Sequence, residues 1–188
     1  MGRWTPDAQL RLRAAALELY RERGFEQTTV ADIAERAGLT ERTFFRHFSD
    51  KREVLFAGSA DLQDAVVAAI AEAPADSSPL AAAGEGVLAA CRLIAHVNAD
   101  DFSRLRSAVI AATPSLQERE LLKLASLAAA SAATLRERGV SEPGASIAAD
   151  AAVSAFRIGF ERWVAEPDGG TLEQRVAVAL EAVRALAR

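Results

Sequence analysis

Residues 24–52 read GFEQTTVADIAERAGLTERTFFRHFSDKR, two short helical stretches with a glycine between them. In the first, Val30, Ile33, Ala34 and Ala37 fall at i, i+3, i+4 and i+7, the spacing that lines one face of a helix. Thr29 stands before this run as an N-cap, with Asp32 three residues on as its capping-box partner. Gly38 is expected to end the helix, because glycine enters the left-handed region without strain. Thr40 then caps a second helix, whose Phe44 and Phe48 can face the first. The rest of its surface carries Arg42, Thr43, Phe45, Arg46 and His47. These are cations, a hydroxyl and an aromatic, groups that suit phosphate oxygens and base edges in a major groove. Ser49 and Asp50 open a third helix with Lys51 and Arg52 in its first turn, where a cation opposes the helix dipole unless a phosphate binds there. The pattern is that of a helix-turn-helix, and double-stranded DNA is the partner it implies.

An earlier helix supports this unit. Thr5 and Pro6 pair an N-cap with a proline at the first helical position, and Gly24 supplies the stop. Between them Leu12, Ala15, Ala16, Leu19 and Tyr20 repeat at helical spacing, with Phe25 just beyond. That stripe is expected to cover the apolar backs of the two helices that follow.

The run from Leu12 to Leu55, LRAAALELYRERGFEQTTVADIAERAGLTERTFFRHFSDKREVL, resembles the N-terminal DNA-binding domain of TetR-family transcriptional regulators. Four helices, two glycine stops, the Thr-Phe-Phe-x-His-Phe core and the following lysine all occur at the family's spacing. The resemblance implies an all-helical homodimer that binds a palindromic operator and represses until a small molecule binds its C-terminal domain. One position departs from the pattern. The family most often has tyrosine where this chain has Phe45, so a phosphate contact through a phenol oxygen is absent, and packing on a sugar or a thymine methyl is what remains to that ring.

Composition agrees with this reading. The chain has 188 residues, 51% of them hydrophobic, enough for one small and one larger domain around substantial cores. Its net charge is -4, but residues 1–52 hold 10 Lys+Arg against 8 Asp+Glu. Positive charge is thus concentrated at the N-terminal end and the acidic excess lies in the body, so electrostatic affinity for DNA is expected to be modest and salt-sensitive. The single cysteine, Cys91, excludes an intrachain disulfide and a multi-cysteine zinc site. Among Ala89, Ala90, Leu93 and Ile94 it reads as a small buried side chain rather than a redox sensor. No apolar run is read as approaching the roughly 20 residues needed to span a bilayer, and the N-terminus lacks a signal-peptide core. A cytoplasmic location is expected.

Beyond Arg52 the pattern is helical throughout, giving an all-α chain of about nine helices in two domains. Residues 1–52 are the helix-turn-helix domain, and residues 53–188 the effector-binding and dimerisation domain. Residues 50–73 are expected to form one helix. After the loop PADSSP, Ser78 and Pro79 open another that runs to about Val97. Asn98 starts the next, which stops at Thr113 and Pro114; Ser115 begins a long one reaching Arg138. The last two helices span about Pro143 to Ala165 and, after PDGG, Thr171 to Ala187.

These last two helices are rich in small residues. Ile147, Ala151, Ser154 and Ile158 form a stripe on one; Leu172, Val176, Ala179, Leu180 and Val183 form a stripe on the other. Two copies could build a four-helix bundle across a two-fold axis, although such stripes also pack within a monomer. A dimer is what two half-sites about one turn (~34 Å) apart require, and the resemblance assigns the dimer interface to these helices.

The C-terminal run FSRLRSAVIAATPSLQERELLKLASLAAASAATLRERG, followed by FRIGFERWV, is similar to a TetR subgroup with acyl-CoA-like ligand binding. The resemblance implies an apolar tunnel, with Phe102, Leu105, Ile110, Phe156, Phe160 and Trp163 as candidate lining, and cations for phosphates, with Arg104 and Arg106 as candidates. Aromatics at helical spacing are equally the material of a core, and arginines of a solvated surface. His96, Asp100 and Asp101 do not make a metal site, since no second histidine is near and acids at a helix start complement the dipole. Nothing resembles a nucleophile elbow, a phosphate loop or a zinc-protease helix, so neither an enzyme nor a bound cofactor is expected.

The expectation is a ligand-responsive repressor. Arg42 and Thr43 are the candidates for base contact, Thr29, Thr40, His47 and Lys51 for phosphates, and Arg46 for either. An activator, or a DNA-binding protein without an effector, shares the same N-terminal domain.

Overall fold

A computed structural model describes residues 8–96, 100–166 and 169–186. Thr5 and Pro6, Asn98, Pro167, Asp168 and Ala187, together with the side chains of Asp100 and Asp101, lie outside the described residues. The described chain is all helical and contains ten helices: α1 (Ala8–Arg23), α2 (Val30–Arg36), α3 (Glu41–His47), α4 (Glu53–Phe56), α5 (Ser59–Glu72), α6 (Pro79–His96), α7 (Asp100–Ala111), α8 (Pro114–Glu137), α9 (Gly144–Ala165) and α10 (Leu172–Leu186).

The count exceeds the expected nine because residues 50–73 do not form one helix. Gly58 sits at φ +86°, outside helical geometry, and separates α4 from α5. The apolar periodicity runs on across the break, so the pattern alone reads as continuous. The stretch Glu53–Glu72 is also long and apolar enough, at mean hydropathy 1.5, to cross a membrane by length and composition, which corrects the expectation that no such run exists. The interruption at Gly58 and the complete burial of Val66 and Ile70 make it two core-facing helices.

The described residues pack as two compact units, one drawn from 1–57 and 101–118, the other from 58–100 and 119–188. The division thus falls between Ala57 and Gly58 rather than after Arg52, and α7 joins the N-terminal helices. In the first unit, Leu12, Leu19, Ile33, Phe44, Val54 and Leu55 are buried to within 1% of full enclosure. Val109, Ile110 and Leu116 complete the same core.

The second unit is built on α5, α6, α9, α10 and most of α8. Val66, Ile70, Val87, Leu135, Trp163, Val176 and Leu180 form its core. Ser78 caps α6 by accepting from the Ala81 amide at 3.2 Å. Thr171 and Gln174 form a reciprocal capping pair at the start of α10, with the Gln174 amide donating to Thr171 Oγ1 and the Thr171 amide to Gln174 Oε1. Cys91 is buried, and burial, reinforced by the charge of Glu173, pushes its thiol up to about 12, as suits a core side chain.

The stripe on α10 turns inward. Leu172, Val176 and Leu180 are buried within the chain and Ala179 and Val183 are packed against the same core, so these residues are not an available interface face. The stripe on α9 is different: Ile147 is 63% exposed and Ile158 43%. A hydrophobic stripe shows that a face is covered without showing by what, and on α10 the cover is α9 and α6.

The α9–α10 packing depends on a missing side chain. A Cβ built at Gly159 would lie 2.7 Å from Val176 Cα and 2.8 Å from its amide nitrogen, distances that backbone cannot relieve without moving the helix. Gly159→Ala is therefore expected to destabilise the protein by about 1 to 3 kcal/mol, read as a lower urea midpoint at unchanged slope. An unchanged midpoint would show that the two helices separate freely.

Candidate nucleic-acid interface

The helix-turn-helix is positioned by local capping and a shared core. Thr29 and Asp32 form the expected capping box, with the Asp32 amide donating to Thr29 Oγ1 at 3.1 Å and the Thr29 amide to Asp32 Oδ2 at 2.9 Å. The bonds that the Thr29 amide and hydroxyl donate to Oδ2 hold the Asp32 carboxyl below the usual carboxylate range. The α2 helix closes at Ala37 and Gly38, where φ is +64°. Arg11 reaches back from α1 to donate to the carbonyls of Ala37 and Gly38. A cation at a helix C-terminus satisfies orphan carbonyls and complements the dipole. A Cβ at Gly38 would lie 2.9 Å from the Arg11 guanidinium, so a side chain there would displace the end of Arg11, while the positive backbone angle is what favours glycine.

The α3 helix starts at Thr40, whose Oγ1 accepts from the Thr43 amide at 3.2 Å. Phe44 is fully buried and Phe48 nearly so, with the two rings 5.5 Å apart. This fixes the opposite face outward. Arg42, Phe45 and Arg46, at i, i+3 and i+4, are exposed, Phe45 at 55%. Neither Arg42 nor Arg46 has an ion-pair partner among the described residues. Three other cations of the unit are ion-paired: Arg36 with Glu22 at 2.9 Å and Glu18 at 3.3 Å, Arg23 with Asp32 at 3.4 Å, and Arg52 with Asp50 at 2.8 Å. The unpaired positive charge of α3 is thus concentrated on its outer face.

The other expected residues sit around this face in different states. Thr29 and Thr40 are exposed, and Thr43 is half-buried with its hydroxyl 3.0 Å from that of Thr40. His47 is half-buried, and its Nε2 is enclosed with no hydrogen-bond partner.

Lys51 points elsewhere. Its ammonium donates to the carbonyls of Phe25 and Thr28, each at 2.9 Å, and of Glu26 at 3.3 Å. It also lies 4.4 Å from the centre of the Phe25 ring. From the same place Tyr20 donates its hydroxyl to the Lys51 carbonyl at 2.6 Å. Burial, with the charge of Asp50 second, raises the Tyr20 phenol well above its ordinary range, keeping it a donor. Together these bonds tie the α1–α2 loop to the entry of α4. Arg11 and this clamp escaped the sequence reading because their partners are carbonyls some 25 residues away, and a carbonyl leaves no mark in a sequence.

The expected effector residues divide between the two units. Phe102 is half-buried, with the Arg13 guanidinium 4.5 Å from its ring centre. Arg106 donates through Nε to the Leu55 carbonyl at 2.6 Å and lies 5.1 Å from the centre of the Phe56 ring. Arg104 is half-buried and engaged. Leu105 and Ile110 pack into the first unit's core. In the second unit Phe156, Phe160 and Trp163 form a ring run with centres 6.1 and 5.6 Å apart. The clefts described are one of about 290 Å³ lined by Tyr20, residues 23–27, Val109 and residues 112–114, and one of about 150 Å³ between α8 and α9. Among the described residues no His, Cys, Asp or Glu cluster could hold a metal ion.

Comparison with known proteins points the same way as the geometry. Residues 12–57 match the family model described as bacterial regulatory proteins, tetR family. A 67-residue stretch is 45% identical to the HTH-type transcriptional regulator TcmR of Streptomyces glaucescens, covering 36% of this chain and 30% of that protein. The match thus spans under a third of the relative's length. Over nearly the whole chain, the fold is similar to SmeT in complex with triclosan, at TM-score 0.66 and 18% identity, covering 95% of this chain and 90% of that one. It is also similar to the fatty acid degradation regulator FadR of Bacillus halodurans, at TM-score 0.61 and 16% identity over 95% of each chain. The FadR of Thermus thermophilus, solved with lauroyl-CoA, aligns at TM-score 0.53 and 24% identity over 92% of this chain and 91% of that one.

Replacing Lys51 by methionine keeps its length and removes the clamp. Lys51→Met is expected to lower stability by about 1 to 3 kcal/mol while leaving the salt dependence of DNA binding at the wild-type slope. A slope reduced by about one with stability unchanged would instead assign the ammonium to a phosphate.

Proposed function

We propose, from a chain whose residues 12–57 match the family model described as bacterial regulatory proteins, tetR family, that the protein is a transcriptional repressor that binds a palindromic operator as a homodimer and is released by a small molecule. The observation that carries the reading is the outer face of α3. Arg42, Phe45 and Arg46 project from a helix whose other side is locked by Phe44, a geometry suited to a major groove, which is wide enough to admit one helix. Arg42 and Thr43 are assigned to base edges. Thr29, Thr40 and His47 are assigned to phosphates and Arg46 to either. Phe45 meets a sugar or a thymine methyl. Lys51 acts through the loop it holds. With DNA as its partner, a cytoplasmic location is part of the same proposal.

The dimer is assigned to the exposed faces of α9 and α10, since the operator's two half-sites need two reading heads. The effector is assigned to the lipophilic class, on the Phe156, Phe160 and Trp163 ring run in the second unit. The bound lauroyl-CoA of one structural neighbour and the triclosan of another belong to those proteins; for this chain an acyl-CoA is the compound to test first. A coupling of about 1 to 3 kcal/mol between effector and operator would change occupancy roughly 5- to 150-fold.

Selection of bound duplexes from a random pool, followed by titration of the enriched sequence, tests the DNA reading. Arg42→Ala is expected to cost about 1 to 3 kcal/mol and to relax preference at one base position. Failure of the wild-type protein to enrich any sequence would refute operator recognition. Lauroyl-CoA added to the wild-type complex is expected to release DNA and raise the melting temperature; no change in either removes acyl-CoA from the effector class.

A further inference from the structure

We infer that Arg13 and Arg106 form an anion site inside the first unit, where α1, α4 and α7 meet, and that the group it takes is a phosphate. The site is separate from the aromatic run assigned above to the effector, and the operator reading does not depend on it.

Two guanidinium groups are gathered here against apolar surface. Arg13 projects from α1, its guanidinium 4.5 Å from the centre of the Phe102 ring. Arg106 stands one turn beyond Phe102 on α7, its Nε donating to the Leu55 carbonyl at 2.6 Å and its guanidinium 5.1 Å from the centre of the Phe56 ring. Residues four apart on a helix share a face, so Arg13 lies beside Arg106 as well as against Phe102. Both arginines are half-buried. Arg13 nevertheless has no ion-pair partner among the described residues, and its Nε is enclosed with no hydrogen-bond partner. Arg175, whose Nε is enclosed in the same way, pairs with Glu166.

The surroundings oppose the charge that an arginine keeps at neutral pH. Burial, with the charge of Arg106 second, lowers the Arg13 guanidinium from its ordinary range. The ring faces attract a cation, but they bring no net charge to cancel it. Two like charges held together in a partly dry site are unfavourable alone and favourable around an anion. Guanidinium forks match the oxygens of carboxylates and phosphates alike. A phosphate monoester, however, carries about −1.5 to −2 charges at neutral pH, where a carboxylate carries one, and so balances two cations. With the Nε of Arg13 turned inward, the outer nitrogens of its fork are the ones that meet the ligand. Free phosphate and the phosphoryl group of a metabolite offer the same chemistry. Bound between Arg13 and Arg106, either one ties α1 to α7 and, through the Leu55 carbonyl, to the end of α4.

Titration of the isotope-labelled full chain with inorganic phosphate, at fixed pH and ionic strength and with acetate as the matched control, tests this on the arginine Nε–H resonances. The Arg13 signal is identified by its absence from the Arg13→Lys spectrum. In the wild type it is expected to shift saturably with phosphate and at least tenfold more weakly with acetate. Arg13→Met removes one cation while keeping a side chain that packs on Phe102. It is expected to melt no lower than the wild type in chloride, since it relieves the repulsion, and to lose about tenfold or more in phosphate affinity, read as a smaller phosphate-dependent rise in melting temperature. A lower melting point in chloride with that rise intact would make Arg13 a structural arginine and overturn the site. So would a wild-type signal that does not saturate with either inorganic phosphate or glycerol phosphate, or that saturates equally with acetate, and this titration decides even if the methionine variant fails to fold. Glycerol phosphate binding the tighter of the two assigns the site to a phosphorylated metabolite; inorganic phosphate binding as tightly or tighter assigns it to the free ion.

Discussion

The burial of Phe44 is the contact on which the N-terminal unit depends. A seven-residue helix such as α3 has no stability of its own in water, because so few backbone hydrogen bonds cannot repay nucleation. Its conformation is supplied by packing, and Phe44, fully enclosed with Leu12, Leu19 and Ile33, is the side chain through which packing acts. Fixing that ring also fixes the helix's rotation. With Phe44 inward, Arg42, Phe45 and Arg46 have no direction but outward, and the helix that carries them is oriented by the core. A preorganised face loses less entropy on binding than one ordered by its ligand.

The supports around Phe44 are polar. Arg11 closes the C-terminus of α2, the Thr29–Asp32 box opens it, and Lys51 gathers three loop carbonyls between α1 and α2. Each satisfies backbone groups that a short helix or tight loop would otherwise leave unmet. These cations carry the unit's positive composition into its interior architecture, while the ion pairs of Arg23, Arg36 and Arg52 neutralise three more. The charge that remains for an acidic partner is therefore smaller than the count of arginines suggests, and better placed.

Much of this could be read from the chain itself, for identifiable reasons. Thr29, Thr40, Ser78 and Thr171 announce helix starts because capping is a local matter of three or four residues. Gly38 announces a stop for the same reason. Long-range relations were not readable. Leu172, Val176 and Leu180 make a stripe that says a face is covered, yet only the fold shows α9 and α6 covering it. The break at Gly58 is hidden because Val54, Leu55, Val66 and Ile70 keep helical spacing on either side. Lys51 looks like a free cation in a first turn until the carbonyls of Phe25 and Thr28 are seen around it. The candidate effector residues were grouped by type, and the fold assigns Phe102, Arg104 and Arg106 to one unit and Phe156, Phe160 and Trp163 to the other.

The proposed docking has α3 meeting DNA with a face oriented in advance. Hydrogen exchange of the full chain, followed by mass spectrometry with a selected duplex and with a scrambled one of equal length, addresses it directly. Sequence-dependent protection confined to residues 29–47, with the α9 and α10 peptides unchanged between the two duplexes, is the predicted result. Equal protection by both duplexes, or protection that omits the peptide holding Arg42 to His47, would contradict it.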